Sequence, residues 1–148
     1  IDFEDIDALY DDMQLYVHYV GCGCNASFAI SVVDTELWDI RGKQESEPLH
    51  RMAGGANTRT RAYCGGIDLN FSTEKLLAKV NRYLERGFNA VKIKVGQDNL
   101  AEDVERVRAV REAIGPDIAF MVDANYALDV ECAIAAENAF KPYDLVGF

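Results

Sequence analysis

The sequence predicts an α/β chain in which a helical segment leads into βα repeats with parallel strands. Two observations carry this reading. Up to about residue 58, apolar residues recur at three- and four-residue steps, the stripe of amphipathic helices. Beyond it, short apolar runs alternate with amphipathic stretches of roughly ten to sixteen residues, most of them bounded by capping or breaking residues. Three such units and the start of a fourth match the opening half of an eight-stranded (β/α) barrel of the TIM type, which closes at about 250 residues. A doubly wound open sheet is the competing arrangement.

The first helix is read over residues 3–20, with Ile6, Leu9, Tyr10, Met13, Tyr16, Val17 and Val20 on its stripe. Gly21 and Gly23 break it. A second stripe through Phe28, Ile30, Val33, Leu37 and Ile40 reaches Gly42, with Arg41 beside that glycine as helix C-termini prefer, so the pair reads as a helical hairpin. The polar stretch after Pro48, through Gly54, Gly55 and Asn57, reads as a connection and sets a boundary near Thr58, between residues 1–58 and 59–148. Residues 61–64 are read as a first strand. Ser72 then caps a helix that turns Leu76, Leu77, Val80, Tyr83 and Leu84 inward and ends at Gly87.

Residues 90–95 form the second predicted strand. The helix after it starts at Asp98 or Asn99, carries Leu100, Val104, Val107 and Ile114 on one face, and stops at Gly115-Pro116. Residues 118–122, wholly apolar, read as a third strand buried on both faces. It leads through Asp123-Ala124-Asn125 to a helix from about Asp129 to Phe140, which ends before Pro142. A fourth strand begins at Asp144. Ile1 is not a methionine and Phe148 sits within an apolar run, so both ends are expected to be cuts in a longer chain.

Composition narrows the function classes. Hydrophobic residues at 49% and charged residues at 27% suit a soluble globular chain, and 148 residues suffice for one sizeable core. The net charge of −10 and the absence of a Lys/Arg cluster argue against nucleic acid as a partner. No apolar run approaches the roughly 20 residues of a membrane helix and no export signal is evident, so no membrane partner and a cytoplasmic location are expected. Cys22, Cys24, Cys64 and Cys132 fit neither a disulfide framework nor, with His18, a zinc pattern.

Few residues are placed for chemistry. Lys92 and Lys94 are two apart on a strand and share one face, while Val91, Ile93 and Val95 share the other. An amphipathic strand with one wet face accounts for them; so does a lysine base, because neighbouring cations lower each other's pKa. Asp123 ends an apolar strand two residues before Asn125, and either caps the next turn or points into the strand mouth to hold a cation. Mg²⁺ bound there would need further oxygen ligands, since it takes six. His50, Arg51 and Gly54-Gly55 lack the flanking strand and helix start of an anion loop. Trp38, Tyr10, Tyr16 and Tyr19, at helical spacing, read as packing residues.

Three segments, in order, carry a family resemblance: residues 29–43 (AISVVDTELWDIRGK), 87–96 (GFNAVKIKVG) and 103–125 (DVERVRAVREAIGPDIAFMVDAN). They resemble the last lid helix, the second barrel strand, and the next helix and third strand of the mandelate racemase and muconate lactonizing branch of the enolase superfamily. The resemblance implies that residues 1–58 are the helical end of an α+β capping domain and that residues 59–148 open the barrel. It implies a Mg²⁺-dependent enzyme that removes the α proton of a small carboxylic acid to give a metal-stabilised enediolate. Racemisation, cycloisomerisation and acid-sugar dehydration all remain open.

Lys94 matches the second lysine of the family's Lys-x-Lys, the base, and Lys92 the first, which tunes Lys94 and polarises the substrate carboxylate. Asp123 matches the first metal ligand and Asn125 a position that lines the site. The family's second ligand, in a Glu-Glu-Pro segment, is expected just after Phe148, and the third ligand and the opposing acid/base further on. The isolated chain is therefore expected to be inactive and, as an open half-barrel with bare strand edges, to self-associate; the parent is expected to be a homo-oligomer. The competing functions are a non-catalytic α/β module and a small-anion binder that uses Lys92 and Lys94.

Overall fold

The structure is a computed structural model that describes residues 5–21 and 23–147, so Phe3, Cys22 and Phe148 lie outside the described residues. The chain divides into two compact units, residues 1–60 and 61–148. In the first, helix α1 (Ile6–Tyr16) starts at Asp5, whose carboxylate accepts the Ala8 N–H at 2.9 Å, and packs against α2 (Cys24–Glu45). A single-turn helix, α3 (Leu49–Met52), follows. Ile6, Ile30 and Leu37 are buried between these elements.

Three expectations are corrected here. The first helix ends at Tyr16, and Val17 to Val20 continue as turns, with the Val20 N–H donating to the Val17 carbonyl at 2.9 Å. Tyr10, Tyr16, Tyr19 and Phe28 are exposed, the middle two by 90% and 92%, so they are not packing residues of this unit. The second helix passes through Gly42 and closes at Ser46, which adopts the left-handed conformation (φ 54°), with the Glu47 N–H donating to the Gly42 carbonyl at 3.0 Å. Gly42 eases this close return, because a Cβ there would lie 3.1 Å from the Glu47 carbonyl oxygen, a tight contact.

The second unit contains α4 (Thr73–Glu85), β1 (Ala90–Lys94), α5 (Leu100–Ile114), β2 (Ala119–Asp123) and α6 (Val130–Phe140), then a 3₁₀ turn (Lys141–Tyr143). Ser72, Asn99 and Asp129 each accept an N–H of the first turn that follows, the local reason these three helices start where they do. The strands are parallel, in a register running from Ala90 opposite Ala119 to Lys94 opposite Asp123. The predicted first and fourth strands are each reduced to one parallel bridge, Cys64 with Val91 and Met121 with Gly147. Backbone pairing with β1 stops at Cys64, just before Gly65-Gly66, and the left-handed Asp144 (φ 48°) precedes the point where Val146 donates to Phe120. The four parallel segments still lie side by side in chain order.

Burial sets the faces of this sheet. Val91, Ile93, Phe120 and Val122 are buried against Leu76, Val80, Val107, Val110, Ala136 and Phe140 of the helices. At about 1.5–3 kcal/mol per fully buried apolar side chain, a one-residue slip would turn that whole set outward and is strongly disfavoured. The other face carries Lys92, Lys94, Ala119, Met121 and Asp123, all only partly buried. The third predicted strand is thus buried on one face and not on both, since the helices of this unit cover one side of the sheet.

Candidate active site

The strand period places Lys92 and Lys94 on the open face, and the register brings Asp123, the last residue of β2, opposite Lys94. One oxygen of Asp123, Oδ2, accepts both ammonium groups, Lys92 Nζ at 2.9 Å and Lys94 Nζ at 2.8 Å. Its other oxygen, Oδ1, accepts the Asn125 N–H at 2.9 Å, while Lys94 Nζ also donates to Asn125 Oδ1 at 3.3 Å. Asp123 therefore does both things its position allowed: it caps the following turn, where Asn125 and Tyr126 have positive φ of 50° and 66°, and it faces the strand mouth. All four residues singled out from the sequence meet here.

The electrostatics differ from expectation at one point. Hydrogen bonding to the Asp123 carboxylate raises the Lys92 pKa, so the carboxylate between the lysines outweighs the repulsion expected from a second cation. Asp123 itself is held far below the usual carboxylate range by Lys94 and Lys92 and by the Asn125 N–H. A carboxylate depressed in the folded state contributes stability that is present above its unfolded pKa and lost as pH falls through the folded one. Stability is accordingly expected to decline on acidification below about pH 4. Asp123→Asn is expected to flatten that decline in urea unfolding at a series of pH values; an unchanged slope would assign the loss to other carboxylates.

As a metal centre the site is partial. Asp123 is a hard oxygen donor of the kind Mg²⁺ takes, but among the described residues no three His, Cys, Asp or Glu side chains come together to hold an ion. Asp123 fits a divalent cation as one ligand of several, and the two ammonium groups that it now accepts on Oδ2 would have to give way to the ion. Among the described residues Cys64 is a half-buried and Cys132 an exposed free thiol, and His18 Nδ1 contacts the Leu15 carbonyl at 2.6 Å.

Sequence reasoning missed the residues that support Lys94. Asp68, 2% exposed, accepts the Lys94 N–H on Oδ1 at 2.8 Å. Asp103 Oδ2 accepts the Gly96 and Gln97 N–H groups at 2.8 and 3.0 Å, and burial pushes its carboxyl up in spite of them. Arg106 donates to the carbonyls of Phe71 at 2.8 Å and Asp68 at 2.9 Å. A signal existed: Asp103, Arg106 and Val110 extend the inward stripe of α5, so two charges fall on a core-facing row. The Tyr63 ring lies 5.4 Å from Lys92 Nζ, and an open cleft of about 360 Å³ beside Lys94 is lined by Ile67, Leu69, Val95, Ala124, Asn125 and Ala127.

Gly96 lets β1 end against the loop that carries Asn125. Its φ is 105°, and a Cβ there would sit 2.9 Å from Ala127 Cβ and 3.2 Å from the Ala124 carbonyl oxygen. Gly96→Ala is expected to cost about 1–3 kcal/mol of stability, read as a lower urea midpoint; a midpoint equal to wild type would mean that the loop yields without strain.

Residues 75–148 match the family described as Enolase C-terminal domain-like. The chain is similar to 3,6-anhydro-α-L-galactonate cycloisomerase of Streptomyces coelicolor, with 42% identity over 97% of this chain and 40% of that protein. It is 37% identical to arabinonate dehydratase of Saccharolobus solfataricus (90% of this chain, 36% of that one) and 36% identical to L-talarate/galactarate dehydratase of Salmonella typhimurium (98% and 37%). The chain thus spans about two fifths of the length of these curated relatives, all of them enzymes. Among solved structures, a racemase from Streptomyces coelicolor with bound magnesium superposes with a TM-score of 0.92 at 42% identity, covering 98% of this chain and 43% of that one. L-Talarate dehydratase from Polaromonas, complexed with Mg and L-glucarate, superposes with a TM-score of 0.86 at 32% identity (99% and 41%).

Proposed function

Because the chain belongs to the Enolase C-terminal domain-like family, we propose that the whole protein is a Mg²⁺-dependent enzyme that abstracts the α proton of a carboxylic acid, an acid sugar in particular. One observation carries this: Lys92, Lys94 and Asp123 converge within 2.9 Å at the C-terminal ends of adjacent parallel strands, on the face the helices leave open. That end of a parallel βα array is where ligands and catalytic groups gather. In this reading residues 59–148 open a (β/α) barrel. The side-by-side chain order of the four parallel segments supports it, since a doubly wound sheet reverses its order midway. Residues 1–58 are the helical end of a capping domain, and the assembled protein is a homo-oligomer.

Lys94 Nζ, as the free amine, takes the α proton and holds it. Lys92, an ammonium on the same face, pairs with the substrate carboxylate and keeps it oriented. Asn125, within reach of Lys94 Nζ, offers its side-chain amide to substrate oxygens. Asp123 would be one of the ligands that hold Mg²⁺, which when bound would supply positive charge beside the substrate carboxylate. The acid-sugar class is supported by the relatives named above and by a cleft beside Lys94 whose 360 Å³ falls in the range of small-molecule sites.

The test is exchange of the C2 proton in D₂O. Full-length protein is incubated with a panel of pentonates, hexonates and hexarates, with and without Mg²⁺, and followed by ¹H NMR. Loss of the C2 signal, or turnover, that requires Mg²⁺ is expected for at least one acid. Binding of acids without Mg²⁺ and without exchange at any of them would instead identify an anion binder.

A further inference from the structure

At the edge of β1 that faces Cys64 the ladder is regular for two bonds. The Cys64 N–H donates to Ala90 at 3.0 Å and the Lys92 N–H to Cys64 at 2.8 Å. The next N–H along that edge belongs to Lys94, two residues on. Gly65 and Gly66 have by then carried the neighbouring chain away, so no backbone carbonyl meets it. A buried carboxylate takes that place, Asp68 Oδ1 at 2.8 Å, from 26 residues earlier in the chain.

The loop that delivers Asp68 is built for this. A Cβ on Gly65 would lie 3.3 Å from the Lys92 carbonyl oxygen, so this glycine eases the close approach of the loop to β1, whereas one on Gly66 would meet only the flexible end of Lys79. Tyr83 Oη donates to the Gly65 carbonyl at 3.2 Å, and Arg106 donates to Asp68 and Phe71 on the far side. The Arg106 guanidinium at 3.9 Å and Lys79 Nζ at 3.7 Å balance the charge of Asp68. A carboxylate this buried without such partners would be costly to keep.

We infer that Asp68 is a positioning residue for the Lys94 amine, acting through the Lys94 main-chain N–H and held in place by Arg106. The inference rests on the reading of Lys94 as the base. In this role Asp68 fixes the last residue of β1, and with it the root of the side chain whose tip must meet the α proton. A small displacement of a reacting group is expensive: about 1 Å costs on the order of 10²-fold in rate.

The test compares Asp68→Ala with Asp68→Asn in the full-length protein, at temperatures well below each melting point. Asp68→Ala is expected to lower kcat about 10–100-fold with KM little changed. In ¹H–¹⁵N spectra the Lys94 amide is expected to lose its downfield shift and its protection from hydrogen exchange. Asp68→Asn keeps an acceptor oxygen but not the charge, so it is expected to melt earlier while retaining the amide bond and most of kcat. Retained kcat in Asp68→Ala while Lys94→Met is inactive would overturn the positioning role and leave the proposed chemistry standing. So would an unprotected Lys94 amide in the wild-type protein, which needs no variant to fold. Full activity in Lys94→Met would instead sink the assignment of the base, while the amide measurements still decide whether Asp68 holds Lys94.

Discussion

Lys94→Met is expected to reduce C2 proton exchange by about 10³-fold, within the 10²–10⁴ that a positioned general base contributes. The geometry makes the expectation specific. Lys94 is the better buried of the two lysines, with its side chain 17% exposed against 26% for Lys92, and it alone reaches both Asp123 and Asn125. Lys94→Arg sharpens the test, because it retains the positive charge at Asp123 but brings a guanidinium that does not give up its proton near neutral pH. Both variants are expected to be equally slow if Lys94 moves a proton, whereas an electrostatic role would let Lys94→Arg recover most of the rate. Lys92→Met is expected to act mainly on KM, as a group that binds the carboxylate in ground state and transition state alike. A larger fall in kcat at Lys92 than at Lys94 would reverse the two roles.

Phe120→Ala is expected to cost about 3–5 kcal/mol, a large share of the roughly 5–15 kcal/mol that holds a domain folded. Phe120 is fully buried in the centre of β2, within the core shared with the helices, and its ring lies 5.2 Å from the Arg111 guanidinium. That guanidinium donates to the carbonyls of Tyr143, Gly115, Ile118 and Asp144 at 2.8 to 2.9 Å, so it cannot readily swing into the space left behind. The loss is read as a lower urea midpoint with an unchanged slope. A cost below about 1 kcal/mol would mean that the core collapses around the cavity, contrary to the packing described. Phe120 stands three residues before Asp123 on the same strand, so the variant is also expected to weaken the ion pairs of the site at temperatures where the protein remains folded.

Much of this was legible in the sequence because it is governed locally. The helices of the second unit start at Ser72, Asn99 and Asp129 because each has a side-chain oxygen one residue before an amphipathic run, and such a cap is satisfied within three residues. Lys92 and Lys94 share a face by the two-residue period of a strand, whatever lies around them. The ends of the hairpin in the first unit were less legible. An apolar stripe reports only that a helix is amphipathic, and Tyr16, Tyr19 and Phe28 keep their helical spacing while remaining exposed.

By itself the sequence determined the order of helices and strands, the parallel βα alternation, and the side of β1 on which the two ammonium groups stand. Only the tertiary structure decided that the Asp123 carboxylate sits between those groups, across 29 and 31 residues of chain, and that it raises the Lys92 pKa where a bare pair of cations would lower it. Only it showed that Asp68 and Arg106, 38 residues apart, complete the end of β1. The physical reason is range. Periodicity and capping are set by neighbours a turn away, whereas register, charge pairing and the satisfaction of a lone N–H depend on which distant segment the buried face of the sheet draws alongside.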